Sequence, residues 1–252
     1  LDKNQDLIIW FGHSSYMIQA AGKRILVDPV FFAGAPFQFI NKAFPGTQIY
    51  KPEDLPDIDF LIITHDHYDH LDYETVPKIK NRVSHVVTAL GVGSHLEYWG
   101  YPVNKLTELD WGESASFSDG FKIHRLPARH FSGRSLFQTK TLWASFVLET
   151  PSGNIYIGGD SGYGPHFAHI GKQFPNLDLA ILENGQYNEN WANIHTLPQE
   201  LPLIAKDLNA KRYMTVHNSK FKLSTHSWNE PQKNAEALLE NGFDVIMPSI
   251  GE

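Results

Sequence analysis

Six residues constrain this chain more than any others. His65-Asp66-His67-Tyr68-Asp69-His70 follows directly on the apolar run Ile58-Asp59-Phe60-Leu61-Ile62-Ile63-Thr64. A short apolar run of this kind reads as a buried strand. Any fold must therefore bury that strand and still present four candidate metal ligands, His65, His67, Asp69 and His70, at its C-terminal end. The pattern recurs: Asp160 follows Ile155-Tyr156-Ile157-Gly158-Gly159, His217 follows a run ending at Val216, and His130 follows residues 121–126 after a short loop. Sheets bring strand ends from distant parts of the chain to one rim, so these groups can converge. The chain has no cysteine. Disulfides and thiolate ligands are excluded, and any metal must be held by His, Asp or Glu. Such donors suit zinc, with manganese or iron also compatible.

The rest of the chain supplies a setting for that rim. Residues 7–11, 16–19 and 24–27 read as an opening antiparallel meander, ended by Asp28-Pro29. Strand and helix patterns then alternate. Strands are expected at 85–88, 103–109, 115–117, 121–126, 142–149, 155–160, 177–182, 211–216 and 244–247. Helices are expected at 91–99, 166–174, 197–208 and 231–241, with Asp72 capping a further one that runs to Ile79. No linker, low-complexity tract or short-period repeat interrupts the pattern, so residues 1–252 are expected to form one domain, two sheets inside two helical layers. A net charge of −7 argues against a nucleic-acid partner. No apolar run reaches the roughly 18 residues of a membrane span. The chain begins at Leu1 rather than Met, which leaves room for a removed upstream signal or anchor; compartment and oligomeric state stay open.

Several residues outside the strand ends are candidates with two readings each. His13, before two serines, either lies near the cluster or serves a turn. Asp28 either accepts a hydrogen bond from a ligand imidazole or caps a buried turn. His195, in Asn193-Ile194-His195, is either a surface histidine or a donor to substrate. His226 competes with His217 as a ligand, and His217 is preferred because it directly follows a strand. Phe31 and Phe32 open an apolar segment, residues 31–40 with Phe44, that either packs over a sheet edge or forms a wall for acyl chains and touches a membrane surface. Tyr187 and Trp191 are candidates for the same groove. Arg129, Arg134 and Lys140 are candidates for contacting a phosphate. His85, His95, His124, His166 and His169 read as ordinary core or surface histidines.

The spacing His65-x-His67-x-Asp69-His70, followed in order by His130, Asp160 and His217, resembles the signature of the metallo-β-lactamase superfamily. The resemblance implies an α+β fold of αββα type, a four-layer sandwich of two mixed β-sheets between helical layers. It implies that His65, His67 and His130 hold one metal, that Asp69, His70 and His217 hold a second, and that Asp160 bridges them. Trp10-Phe11-Gly12-His13-Ser14-Ser15, Val27-Asp28-Pro29-Val30-Phe31, the stretch from Asp66 to Tyr73, Gly158-Gly159-Asp160-Ser161-Gly162-Tyr163 and Asn193-Ile194-His195 resemble the N-acyl-phosphatidylethanolamine phospholipase D branch. The likeness runs from about Ile8 to Glu252. It implies a binuclear hydrolase with two divalent ions, Zn2+ foremost and Mn2+ or Fe2+ as alternatives. A hydroxide shared by the ions would attack the phosphorus of a lipid or lipid-like phosphodiester. Asp69 would be ligand and candidate base, and His195 an active-site donor outside the metal set. A lactonase, such as a sugar-phosphate lactonase, is the alternative, and a non-catalytic metal-binding protein a second. An apolar pocket wall favours lipid; a small pocket rich in Arg and Lys favours sugar phosphate. Asp160 stands where β-lactamases of this fold have Cys or Ser, which argues against antibiotic hydrolysis. His67 stands where diiron flavoproteins have Glu, and no basic RNA-gripping arm is present.

Overall fold

A computed structural model of the protein describes residues 2–37, 39–134 and 139–252. Gln38, inside the apolar segment singled out above, lies outside the described residues. Strands β1 (Leu7–Trp10), β2 (Tyr16–Ala20) and β3 (Lys23–Val27) form the expected antiparallel meander. β4 (Ile58–Ile63), β5 (Val83–Ala89) and β6 (Leu106–Leu109) continue from β3 in parallel and complete a six-stranded mixed sheet. Short helices α1 (Val76–Ile79) and α2 (Gly93–Tyr98) lie on the crossovers between those parallel strands.

The second sheet has seven strands. β7 (Ser114–Ser116), β8 (Lys122–Leu126), β9 (Ser145–Thr150) and β10 (Gly153–Ile157) pair antiparallel. β11 (Leu177–Glu183), β12 (Arg212–Val216) and β13 (Val245–Ile246) extend it in parallel from β10. Helices α3 (His166–Gln173), α4 (Leu201–Leu208) and α5 (Glu230–Glu240) cover its outer face. Two-residue alternation sorts the side chains. Phe146 and Leu148 of β9, with Ile155 and Ile157 of β10, face the main core with Leu61, Val87 and Met214. Val147 and Tyr156 point the other way, against Phe167, Ile170, Ile204 and Leu208 of the helices. The result is the expected α+β architecture of two mixed sheets with helices.

Several expected elements start later than their patterns suggest, among them the helix expected at 197–208, which is a turn up to Glu200 and helical only from Leu201. The run at 103–109 opens with a 3-10 turn, Val103–Lys105, behind Pro102, and only Leu106–Leu109 pairs. The run at 142–149 becomes strand only at Ser145. Before that its N–H groups cross to the first sheet: Leu142 donates to Leu90 O (2.8 Å) and Ala144 to Thr64 O (3.0 Å). The short helix expected to run to Ile79 is present, but Asp72 is not its cap. It closes a turn, its carboxylate accepting from Glu74 N and Thr75 Oγ1, and the helix proper is one turn long.

These crossings matter for function because they stitch two rims together. β3 and β4 are parallel, so Asp28 and His65 leave the first sheet on one side; β10, β11 and β12 are parallel, so Asp160, Glu183 and His217 lie at one edge of the second. Reciprocal hydrogen bonds, His217 N to His13 O (3.0 Å) and His13 N to Asn218 O (2.8 Å), close the seam between the sheets. Gly159, at φ +60°, has no room for a Cβ, which would meet Ala144 O at 2.8 Å; the glycine lets β10 turn sharply into Asp160.

Candidate metal centre

Three imidazoles form one donor group. His65 Nε2 lies 2.9 Å from His67 Nδ1, and His130 Nε2 lies 3.1 Å from the same atom. The outward nitrogens of two rings are already used: His65 Nδ1 meets Thr64 Oγ1 at 3.0 Å, and His130 Nδ1 donates to Ile194 O at 2.7 Å. A second group forms beside it. His70 Nε2 and His217 Nε2 each lie 3.2 Å from Asp160 Oδ2, and 3.6 and 3.3 Å from Asp69 Oδ2. Here too the far nitrogens are spent: His70 Nδ1 donates to Asp28 Oδ2 (2.8 Å) and His217 Nδ1 to Gly185 O (3.1 Å). Asp160 Oδ2 also stands 3.9 Å from His65 Nε2 and 3.7 Å from His130 Nε2, so one oxygen faces both groups.

This arrangement fits a metal ion on its own chemistry. Inward nitrogens whose partner nitrogens donate outward carry lone pairs, and lone pairs that face each other at 3 Å need a cation between them. His70 Nε2 and Asp160 Oδ1 are buried without a hydrogen-bond partner among the described residues, a state that costs free energy unless something binds there. Burial, reinforced by neighbouring imidazoles, holds His65 well below the usual imidazole range, and burial does the same for His130, so both are neutral and ready to ligate. Burial pushes Asp160 and Asp69 up, but the surrounding imidazoles outweigh it and hold both well below the usual carboxylate range: His217 and His70 for Asp160, His70 and His13 for Asp69.

Of the residues with two readings, His13 lies in the cluster. Its Nε2 is 3.0 Å from Asp69 Oδ2, and its atoms belong to the same donor group as Asp69, His70 and His217. Asp28 accepts from His70 Nδ1, from Thr64 N (2.8 Å) and from Thr64 Oγ1 (2.6 Å). Since Thr64 Oγ1 also meets His65, one carboxylate orients a ring in each group. His13, Asp28 and His217 are all held at positive φ (54°, 39° and 68°). Such backbone costs on the order of 1–3 kcal/mol per residue and concentrates at functional sites. His226 is not a donor here: its Nε2 accepts from Gln186 N (2.7 Å).

Glu183 was not legible as a site residue, although it ends a buried strand as the other candidates do. It is 4% exposed and accepts from Ser161 N (2.9 Å), Thr196 N (2.7 Å) and His195 Nδ1 (2.9 Å). Burial pulls the His195 imidazole down, but the Glu183 carboxylate more than offsets this and raises it to about 9.

Four expected substrate residues are placed elsewhere. Phe31 is buried in the core against Phe11, and Phe32 lies under Lys78 Nζ. Tyr187 turns inward, its hydroxyl on Glu230 (2.6 Å) and its ring stacked on His226. Arg134 is committed to the carbonyls of Asp66 (3.0 Å) and Leu71 and to the face of Tyr68. Each spends its polar or apolar surface on the protein itself, a tertiary outcome that local pattern does not reveal. Trp191 does reach the site. With Phe131, Ile194 and Leu223 it walls a cavity of about 320 Å³ whose floor includes His67, Asp69, Asp160, His195 and His217. That volume is within the range of small-molecule sites.

His166, read as ordinary, supports this rim indirectly. Its Nε2 lies 3.0 Å from the Ser161 hydroxyl, next to Asp160. Burial, with Arg129 and His169 nearby, lowers it to about 4 from an ordinary 6.5. The unfolded chain therefore takes up the proton first, and stability is lost as pH falls from about 6.5 towards 4. Urea midpoints measured across that window should fall more steeply for the wild type than for His166→Gln; parallel curves would refute the assignment.

The sequence pattern of the β-lactamase superfamily domain matches residues 23–218. An uncharacterized protein of Mycobacterium tuberculosis is 37% identical over 257 residues, covering 100% of this chain and 69% of that protein. N-acyl-phosphatidylethanolamine-hydrolyzing phospholipase D 1 of Caenorhabditis elegans is 30% identical over 254 residues, covering 94% of this chain and 70% of that protein. Among solved structures, the metallo hydrolase Igni18 of Ignicoccus hospitalis superposes with a TM-score of 0.71 at 20% identity, covering 97% of this chain and 95% of the other. Donor geometry, fold and sequence agree: the chain belongs to the metallo-β-lactamase superfamily of metal-dependent hydrolases, in the branch that holds the N-acyl-phosphatidylethanolamine phospholipases D.

Proposed function

We propose that the protein is a binuclear metal-dependent phosphodiesterase of phospholipase D type, acting on a lipid or lipid-like phosphodiester. The carrying observation is the composition of the cavity over the donor groups. Its walls are Phe131, Trp191, Ile194 and Leu223, and no Arg or Lys lines it among the described residues. A sugar phosphate would call for cations at the wall; an apolar chain beside the scissile phosphate calls for this one. The name of the C. elegans relative supports the same class of substrate.

His65, His67 and His130 would hold one ion, and Asp69, His70 and His217 the other, with Asp160 shared. Zn2+ is the ion best matched to these donors. When bound, the two ions supply an activated water and neutralise charge on the phosphoryl oxygens. The chain does the rest. Asp69 is aimed into the cavity floor as a ligand and acceptor, His195 offers its free edge to the substrate, and the four apolar side chains offer contact to an apolar chain. A second cleft, lined by Phe37, Phe39, Tyr68, Tyr73 and Arg134, adjoins the histidine-rich loop and leaves Phe39 76% and Tyr73 60% exposed. Such a patch suits a lipid surface.

The test is a hydrolysis screen of the metal-loaded protein against bis(p-nitrophenyl) phosphate, glycerophospholipids in mixed micelles, and lactones. Turnover of the phosphodiesters with little of the lactones is expected; lactone turnover alone would overturn the reading. Trp191→Ala should raise KM for a micellar phospholipid about tenfold, the equivalent of ~1.4 kcal/mol of lost contact, while KM for bis(p-nitrophenyl) phosphate stays within about twofold.

A further inference from the structure

Glu183 is a buried carboxylate, and such a group persists only when its oxygens are fully engaged by donors. Its two oxygens have separate tasks. Oε1 accepts the backbone N–H of Ser161 and of Thr196, which neighbour Asp160 and His195 in sequence. Oε2 accepts the ring Nδ1–H of His195 at 2.9 Å. With three N–H donors in place Glu183 is a poor candidate for a metal ligand, although its atoms lie near those of Asp160, His195 and His217. The His195 ring is further fixed by stacking on His217 (5.5 Å, 17°) and by an edge contact with His130 (5.1 Å). The approach of its loop is permitted by Gly162, where a Cβ would fall 2.5 Å from the backbone of Asn193. His195 Nε2 has no hydrogen-bond partner among the described residues, and His195 lines the cavity.

We propose that Glu183 is a positioning residue: by holding Nδ1–H it sets the tautomer and direction of His195, so that Nε2 faces the substrate's leaving oxygen. This rests on the phosphodiesterase reading. The water oxygen bonds to phosphorus as the bond from phosphorus to the leaving oxygen breaks. The water's proton passes to the Nε2 lone pair, which the Nδ1–H tautomer leaves free, and from Nε2 to that oxygen, which departs as an alcohol and leaves the imidazole neutral again.

The discriminating variant is Glu183→Gln. It is isosteric, and its amide oxygen keeps the two backbone N–H bonds. Its NH2 group, however, turns a donor towards Nδ1 and reverses the tautomer of His195. Two diesters separate the outcomes. A p-nitrophenolate leaving group departs without a proton, whereas an alkyl alkoxide needs one. For Glu183→Gln with unchanged metal content, kcat on an alkyl phosphodiester should fall about a hundredfold, the lower range for a general acid. The p-nitrophenyl diester should lose less than about threefold. His195→Gln should show the same split, and the double variant should be no worse than either single one. Equal losses on both diesters, or additive losses, overturn the proposal. The ring state is read independently by 15N NMR of the histidine rings, where Nδ1 of His195 is expected to carry a proton in the wild type and to lack one in Glu183→Gln; a protonated Nδ1 in the variant also overturns it. Wild-type protein inactive on both diesters would instead remove the phosphodiesterase reading, and the NMR result would still decide what Glu183 does.

Discussion

Asp160→Ala is expected to lose hydrolytic activity almost completely. Its Oδ2 faces both donor groups, within 3.2 Å of His70 and His217 and within 3.9 Å of His65 and His130. Removing it leaves Asp69 as the carboxylate at the inward nitrogens of His70 and His217, and takes away the oxygen that faces both groups. Loss of a hydrogen-bond partner behind a ligand already costs about 10–100-fold in metal affinity or activity, so loss of the proposed shared ligand should exceed a hundredfold. Metal content by atomic emission and turnover of bis(p-nitrophenyl) phosphate should fall together. The wild type stripped by a chelator should behave like the variant and recover on addition of Zn2+. A variant that keeps its metal and its rate would mean that Asp160 is not the shared ligand.

A second large effect is expected at a residue that touches no substrate. In Asp28→Asn the side chain retains one acceptor, and asparagine tolerates the positive φ of this position. The amide nitrogen, however, is a donor where His70 Nδ1–H or the Thr64 hydroxyl now finds an acceptor. A buried donor without a partner costs about 1–3 kcal/mol. In a chain of this size that lowers Tm by several degrees, at roughly 2–4 °C per kcal/mol. The orientation of His70, and through Thr64 that of His65, is weakened at the same time, so metal affinity should fall about 10–100-fold. Calorimetry with and without Zn2+ separates the two parts. A variant as stable and as tight for metal as the wild type would show that Asp28 only closes a turn.

Much of this site was written along the chain because strands carry a two-residue period and end abruptly. The apolar run 58–63 and the polar run after it are both local, and so are the runs that precede Asp160 and His217. Their parallel alignment in the folded sheets turned separate strand ends into one rim. Glu183 is not legible in the sequence because a single Glu after an apolar run is indistinguishable from a solvated strand end; only the fold surrounds it with Ser161, Thr196 and His195. Conversely, Phe31, Phe32, Tyr187 and Arg134 looked available because side-chain type says nothing about direction.

The order and chemistry of the donors, the strand that bears the first four, and the superfamily itself are properties of the linear chain, since they depend on residue type, short spacing and periodicity. Which nitrogen of each imidazole points inward, which carboxylate stands behind it, and which aromatic rings wall the cavity were decided only by packing. The physical reason is that a hydrogen bond or a cavity wall needs two groups within a few ångströms, and those groups lie as far apart in sequence as Asp28 and His70 or His13 and His217.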